Sequence, residues 1–400
     1  MRMSVPRLRF MQKGDQTLAA TVALLVLVGA GALLVKGGTA VSEGQPLEQV
    51  TEHGTAGVEL IEGPVCDIDP ADGQDAISVA IQGCPDGSTV RFPSQRTYHQ
   101  TDEIAVVGRR DLVIDGNGST FVTSAPNDSA ASIYDARPNW QIVEGTGVAI
   151  RNMTIRGNLP PGPRGILPGN QYNAGIIIYG GDRIRVSDVS VFSVFGEFVV
   201  VNPSGFFHRL GAVDGQVPTN VRVDRLYGEH AARQCVAVTA AKGFWLQDST
   251  MRDCFQNGVD IEPDVAGEPV HDVHVVGNSI SGYYFSAIVV PTAYADGDVR
   301  GVEIRNNTTS PSDTCYPAVL LGGVQENSIP LHDIVVADNT LETLNEGVRA
   351  SYVASGAITG NDVTIKAPAT LCGPPLAIPV RLVESPAVQV RLNSDKGYGR

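Results

Sequence analysis

Apolar residues recur at alternate positions in short segments along this chain, and the segments come in pairs separated by a nearly constant interval. One kind starts at Leu112, Val148, Ile184, Val221, Phe244, Val273, Val302, Ile334 and Gly356, and several copies carry an asparagine at the same offset (Asn117, Asn278, Asn307, Asn339 and Asn361). A second kind includes Phe198–Asn202, Cys235–Thr239, Gly258–Glu262, Ser286–Val290 and Gly347–Ser351, lying 13 or 14 residues downstream of a first segment. Alternation of this kind predicts strands with one face buried. Repeats of a few tens of residues, each made of short strands, cannot bury those faces singly and must stack on their neighbours. The expected fold is all-β: a single-stranded, right-handed parallel β-helix of about nine turns over residues 66–370. The asparagines are expected to form a structural ladder at the bends.

Helical spacing of Ala76, Ile77, Ala80 and Ile81 predicts a short helix over Asp72–Gly83 that caps the first turn. The interval between the two kinds of segment is nearly fixed, whereas the stretches after the second kind vary in length, so binding walls are expected along that edge. A Pro- and Gly-rich insertion, Asn158–Asn173, is placed to wall the opposite side. The proline-containing end of the chain, 371–400, is expected to pack along the last turns.

Leu18–Val35 is an uncharged run of 18 residues preceded by Arg2, Arg7, Arg9 and Lys13. As a helix it would extend about 27 Å, close to the ~30 Å hydrocarbon core of a bilayer. Residues 1–40 are therefore expected to be a signal-anchor, or a signal peptide with a small-residue site at Gly38–Ala40, with the basic flank cytoplasmic and the remainder exported. Residues 41–65 read as a linker. The localisation expected is a single-pass membrane anchor with an extracellular domain, or secretion if the segment is cleaved.

The formal net charge of −14 argues against nucleic acid or an anionic membrane surface as a partner and favours neutral or basic glycans over anionic ones. Six cysteines in an exported chain point to disulfides, with Cys66–Cys84 and Cys235–Cys254 as candidate pairs. No cysteine or histidine spacing supports a metal site, and no cofactor is expected.

The candidate chemistry lies in Gly258-Val-Asp-Ile-Glu262. With Val259 and Ile261 directed inward, Asp260 and Glu262 project together from the outer surface, their Cα atoms about 6.6–6.8 Å apart. The carboxyl groups would then be about 5–8 Å apart, within range of both stereochemical courses of glycoside cleavage. Corresponding positions on other turns are mostly uncharged. Arg233 and Gln234 enter the preceding turn just before its second segment. A straight strand would leave the Arg233 backbone about 14 Å from Asp260, which suits a clamp on sugar hydroxyls or carboxylate, or a structural ion pair. Asn202 and Tyr179, in the Glu262 column upstream, are candidates to bond or stack on sugar rings. His230, at the corner before Arg233, is a candidate base or polar contact.

The stacked Val-x-Val-x-x-Asn turns, the capping helix and Leu112-Val-Ile-Asp-Gly-Asn-Gly118 resemble the pectate-lyase-like superfamily of right-handed parallel β-helix proteins. Arg233-Gln-Cys-Val-Ala-Val238 followed by Asn257-Gly-Val-Asp-Ile-Glu-Pro263 is similar to a signature of bacterial and phage members, carried here by Arg233, Gln234, Asp260 and Glu262. The resemblance implies action on polysaccharides by hydrolysis, β-elimination or epimerisation. The Asp-Asp, Gly-His-Gly and Arg-x-Lys motifs of polygalacturonases are absent, as are Trp-x-Asp-His of pectate lyases and Asp-Pro-His of alginate epimerases. The expectation is a monomeric, exported glycoside hydrolase acting on an extracellular or cell-wall polysaccharide. Its rivals are a lyase in which the carboxylates hold Ca²⁺, and a non-catalytic glycan-binding solenoid.

Overall fold

The computed structural model describes residues 63–124, 137–161, 172–208, 215–264, 267–291, 298–311, 314–322, 331–366, 378–391 and 393–395, all within the unit Val58–Arg400. The expected segments at 1–40 lie outside the described residues. Among the described residues no helix is long and apolar enough to cross a membrane.

The architecture is a parallel β-helix. Each turn contributes strands to three faces, and every strand pairing among the described residues is parallel and joins successive turns. A typical turn runs Ala241–Gln247, Thr250–Cys254, Val259–Ile261. The first two faces form one sheet of twenty strands, because Val113–Thr123, Ala149–Arg156 and Arg185–Val194 pass round the corner between them unbroken; the third face is a sheet of ten strands. Constant register stacks like on like. Val186, Val223, Leu246, Val275, Ile304, Val336 and Ile358 form one continuous inward column, all buried. Such a column removes each side chain from water only because the next rung lies on it.

The corner between the first and second faces is made by one residue per turn in the left-handed region: Asp188, Arg225, Asp248, Gly277, Asn306, Asp338 and Gly360. Glycine and short polar residues accept that conformation at least cost. Arg225 is the exception, and Asp188 holds its guanidinium with two bonds of 2.7 Å. The next residue points inward. There Asn278, Asn307, Asn339, Asn361 and Asn393 form a ladder: in each step the upper Nδ2 donates to the next Oδ1 at 2.8–3.0 Å. Asn117 stands outside this ladder, because a bulge between Asp115 and Ser119 puts Ser119 into the buried column instead.

Helix α1, Gln74–Gly83, buries Ile77 and Ile81 over the first turn, as the spacing predicts. Disulfides join Cys66 to Cys84 and Cys235 to Cys254, and Cys315 is disulfide-bonded as well. At the C-terminal end, Ile378–Val383, Val388–Arg391 and Ser394–Asp395 pair in register with Glu346–Ser351, Gly356–Thr359 and Asp362–Ile365. These residues continue the coil on all three faces, where a packed tail is expected from the sequence.

Candidate active site

On the third face, register brings Ile177, Val200, Ala237 and Asp260 into one outward column across four successive turns. One position beyond this set, Asn202 lies two residues after Val200 and Glu262 two after Asp260. The Glu262 N–H donates to Val238 O at 3.0 Å, and the Thr239 hydroxyl donates to Asn202 Oδ1 at 2.8 Å. Short apolar side chains at Ala237 and Val200 leave a hollow beside the longer acids. The result is a cleft of about 480 Å³, its open mouth included, lined on its polar side by Asn202, Arg233, Gln234, Asp260, Glu262 and Asp264.

The pair is recessed rather than displayed. Val259 and Ile261 are fully buried, as alternation requires, but Asp260 is only 4% exposed and Glu262 is half-buried. The projection from the outer surface expected from the sequence is corrected to a position within a pocket. Tyr172, at the end of the Asn158–Asn173 insertion, lines one wall, and Glu197 and Asp264 close it further.

Asp260 Oδ2 accepts from Gln234 Nε2 at 2.8 Å and from Asn257 Nδ2 at 3.3 Å. Its other oxygen, Oδ1, is buried with no hydrogen-bond partner among the described residues. Asn257 is in turn fixed by the Ser286 N–H, which donates to its Oδ1 at 3.2 Å. Arg233, expected as a clamp or a structural ion pair, reaches the same cleft because the chain turns a corner before Val236 and the long side chain spans the remainder. Its Nε lies 3.2 Å from Glu197 Oε1 and donates to Gln234 Oε1 at 3.2 Å.

The electrostatics follow from four carboxyls crowded around one guanidinium. Burial raises the Glu262 pKa to about 9, with the charges of Asp260 and Asp264 adding to the rise and Arg233 opposing it. Burial also raises Asp260, against the hydrogen bonds from Gln234 and Asn257 and the charge of Arg233. Glu197 is raised by burial and lowered by Arg233. Asp264, exposed at the rim, is raised to about 6 by the protein packed around its carboxyl, and solvent access works against that rise. Loss of hydration disfavours the ionised form in each case.

Five of the seven candidate side chains therefore meet: Asp260, Glu262, Arg233, Gln234 and Asn202. Two do not. Tyr179 pairs with Asn202 in register, but its ring packs against Phe207, with centroids 5.8 Å apart, in an apolar cluster with the cleft-lining Ile177 and Val200, and Tyr179 itself is not among the described residues that line the cleft. Its burial raises the phenol pKa. His230 faces the second side of the coil, where Nδ1 meets Asp253 Oδ2 at 2.9 Å and Nε2 meets Pro160 O at 3.2 Å. It braces the base of the insertion rather than contacting the cleft. Arg349, in the Asp260 column three turns on, is bound to the fully buried Glu346 at 2.6 Å.

Sequence reasoning missed Glu197, Asn257 and Asp264. The signal for two of them was the position two residues before each third-face strand, which carries Glu197, Gln234 and Asn257 on consecutive turns. Among the described residues no three His, Cys, Asp or Glu side chains are placed together to hold a metal ion.

No protein-family model and no curated protein matches the chain. Solved structures do match. Endo-xylogalacturonan hydrolase from Aspergillus tubingensis aligns over 82% of this chain and 95% of its own, with 12% identity and a TM-score of 0.56. The catalytic domain of an α-1,3-glucanase in complex with nigerose aligns over 84% of this chain, with 11% identity and a TM-score of 0.51; the Dettilon tailspike protein aligns over 83%, with 12% identity and a TM-score of 0.52. This chain covers 60% and 62% of those two proteins. What it shares with all three is the parallel β-helix.

Proposed function

We propose that the chain is an exported polysaccharide-active enzyme, a glycoside hydrolase whose reacting groups are Glu262 and Asp260. The observation that carries this reading is the unequal treatment of two neighbouring acids in one pocket. Glu262 has its pKa raised to about 9 and holds a proton at neutral pH, as a general acid must. Asp260 is oriented by Gln234 and Asn257 through one oxygen, which leaves Oδ1 to act as base or nucleophile.

In this mechanism Glu262 gives its proton to the glycosidic oxygen as the bond to C1 breaks. Asp260 either activates a water on the opposite face of the ring or attacks C1 itself. Residues two apart on a strand have Cα atoms about 6.6–6.8 Å apart, compatible with either course. Arg233, Gln234 and Asn202 hold the sugar and keep Asp260 in place. Two fold neighbours with TM-scores above 0.5 are named as glycan hydrolases, which supports the reading at the level of substrate class. The apolar run Leu18–Val35 with its basic flank supports tethering to a membrane with the coil outside.

The test is a polysaccharide panel with mass analysis of products, run on wild type, Asp260→Asn and Glu262→Gln. Hydrolytic products from wild type and a loss of 100-fold or more in either folded variant are expected. Products carrying an unsaturated uronide would select a lyase instead, and binding without turnover would select a non-catalytic solenoid.

A further inference from the structure

We propose that Glu197 occupies the carboxylate seat of Arg233, so that the pocket takes a sugar unit bearing no carboxylate and refuses uronides. The inference rests on the pocket being the glycan site proposed above.

Among the described residues lining the cleft, Arg233 is the one cation. A uronic acid entering such a pocket needs a guanidinium or ammonium to replace the water lost from its carboxylate. Here the Nε edge of that guanidinium is already engaged by Glu197 Oε1 at 3.2 Å and Gln234 Oε1 at 3.2 Å. The Glu197 side chain is only 5% exposed, so it is installed in the wall rather than swinging in from solvent. Arg233 keeps about a quarter of its side chain open, but Asp260, Glu262 and Asp264 share the same small space. A fifth carboxylate would face repulsion from those that are ionised, in a medium that screens poorly.

The remaining chemistry points the same way. Among the described residues Asp260 Oδ1 is a buried acceptor without a donor, in a residue only 4% exposed. The Gln234 amide already gives a hydrogen to Asp260, and the Thr239 hydroxyl gives its hydrogen to Asn202. The matching ligand is donor-rich: a neutral sugar presenting hydroxyls, or one carrying an ammonium. This chain thus departs in specificity from the galacturonan-type substrate in the name of its fold neighbour.

The test is anion rescue. Glu197→Ala should open a carboxylate-sized gap on Arg233. Formate at fixed ionic strength is expected to raise the Tm of this variant by about 3 °C or more over a chloride control. It should leave wild type and the double variant Glu197→Ala/Arg233→Met unmoved. Equal Tm in formate and chloride for Glu197→Ala, or an equal rise in wild type, would overturn the proposal. If Glu197→Ala does not fold, Glu197→Gln keeps the shape and removes the charge. Oligogalacturonide binding, followed by calorimetry, should then rise tenfold or more over wild type. Tight, saturable uronide binding by wild type would sink the idea outright. Rescue by formate is independent of turnover, so it can succeed even if no glycan is ever cleaved and the hydrolase reading falls.

Discussion

Gln234 Nε2 donates to Asp260 Oδ2 at 2.8 Å, from the corner of one turn to the strand of the next. This bond supports the ionised form of an acid that burial otherwise pushes toward neutrality. Gln234→Leu removes that support. The acidic limb of the pH–rate profile should move upward and kcat should fall at least tenfold, while Gln234→Glu should fail to restore it because it adds a charge of the same sign. An unchanged profile in Gln234→Leu would show that the bond does not tune Asp260.

The proton on Glu262 has a consequence for stability. Its pKa is about 9 in the folded protein against an ordinary 4.5, so the folded state binds more protons than the unfolded chain between those values. Stability must therefore fall as pH rises from about 4.5 through about 9. Glu262→Gln should flatten that slope, as read from urea midpoints across the range. In activity, the same group should set the alkaline limb.

His230 lies outside the cleft and holds the Pro160 carbonyl and Asp253. His230→Gln should keep the wild-type pH dependence of kcat and act on KM through the insertion that carries Tyr172. A shifted pH profile would return His230 to the chemistry.

The disulfide between Cys235 and Cys254 ties the residue after Gln234 to the second face of the following turn. Cys235→Ala/Cys254→Ala should lower stability by about 3 kcal/mol on the loop-closure estimate. Activity should fall further than global unfolding explains, because the Arg233–Gln234 corner loses its tether. Equilibrium unfolding combined with activity at low temperature separates the two effects.

Asn307 is fully buried and its side chain makes four hydrogen bonds: its Nδ2 donates to Val275 O at 2.8 Å and to Asn339 Oδ1 at 3.0 Å, and its Oδ1 accepts from the N–H and Nδ2 of Asn278, each at 3.0 Å. Asn307→Leu strands these groups without water, at roughly 1–3 kcal/mol for each buried polar group left unpaired. A loss of about 3 kcal/mol or more is expected in urea unfolding. A loss below 1 kcal/mol would mean the ladder is incidental to the coil.

The coil was legible because its signal repeats: alternate Val and Ile at a fixed interval leave only stacking as a way to bury them. The asparagine ladder from Asn278 to Asn361 followed from the same offset. Asn117 broke the rule because a bulge, invisible to a count of residues, moves the buried position to Ser119. Alternation also gave the outward direction of Asp260 and Glu262, a property of one strand. The depth of the pocket was not legible, since its walls come from other turns and from an insertion without periodicity. Glu197 escaped because it precedes its strand, where polar residues usually satisfy a bend.

Among the described residues each rung of this coil pairs only with the rungs on either side of it, and the residues that line the cleft fall between Tyr172 and Asp264. Catalytic capacity and overall length are thus decoupled. Whole turns beyond Val290 can be gained or lost in descent without retuning the acids, leaving the far end free to diversify under separate selection.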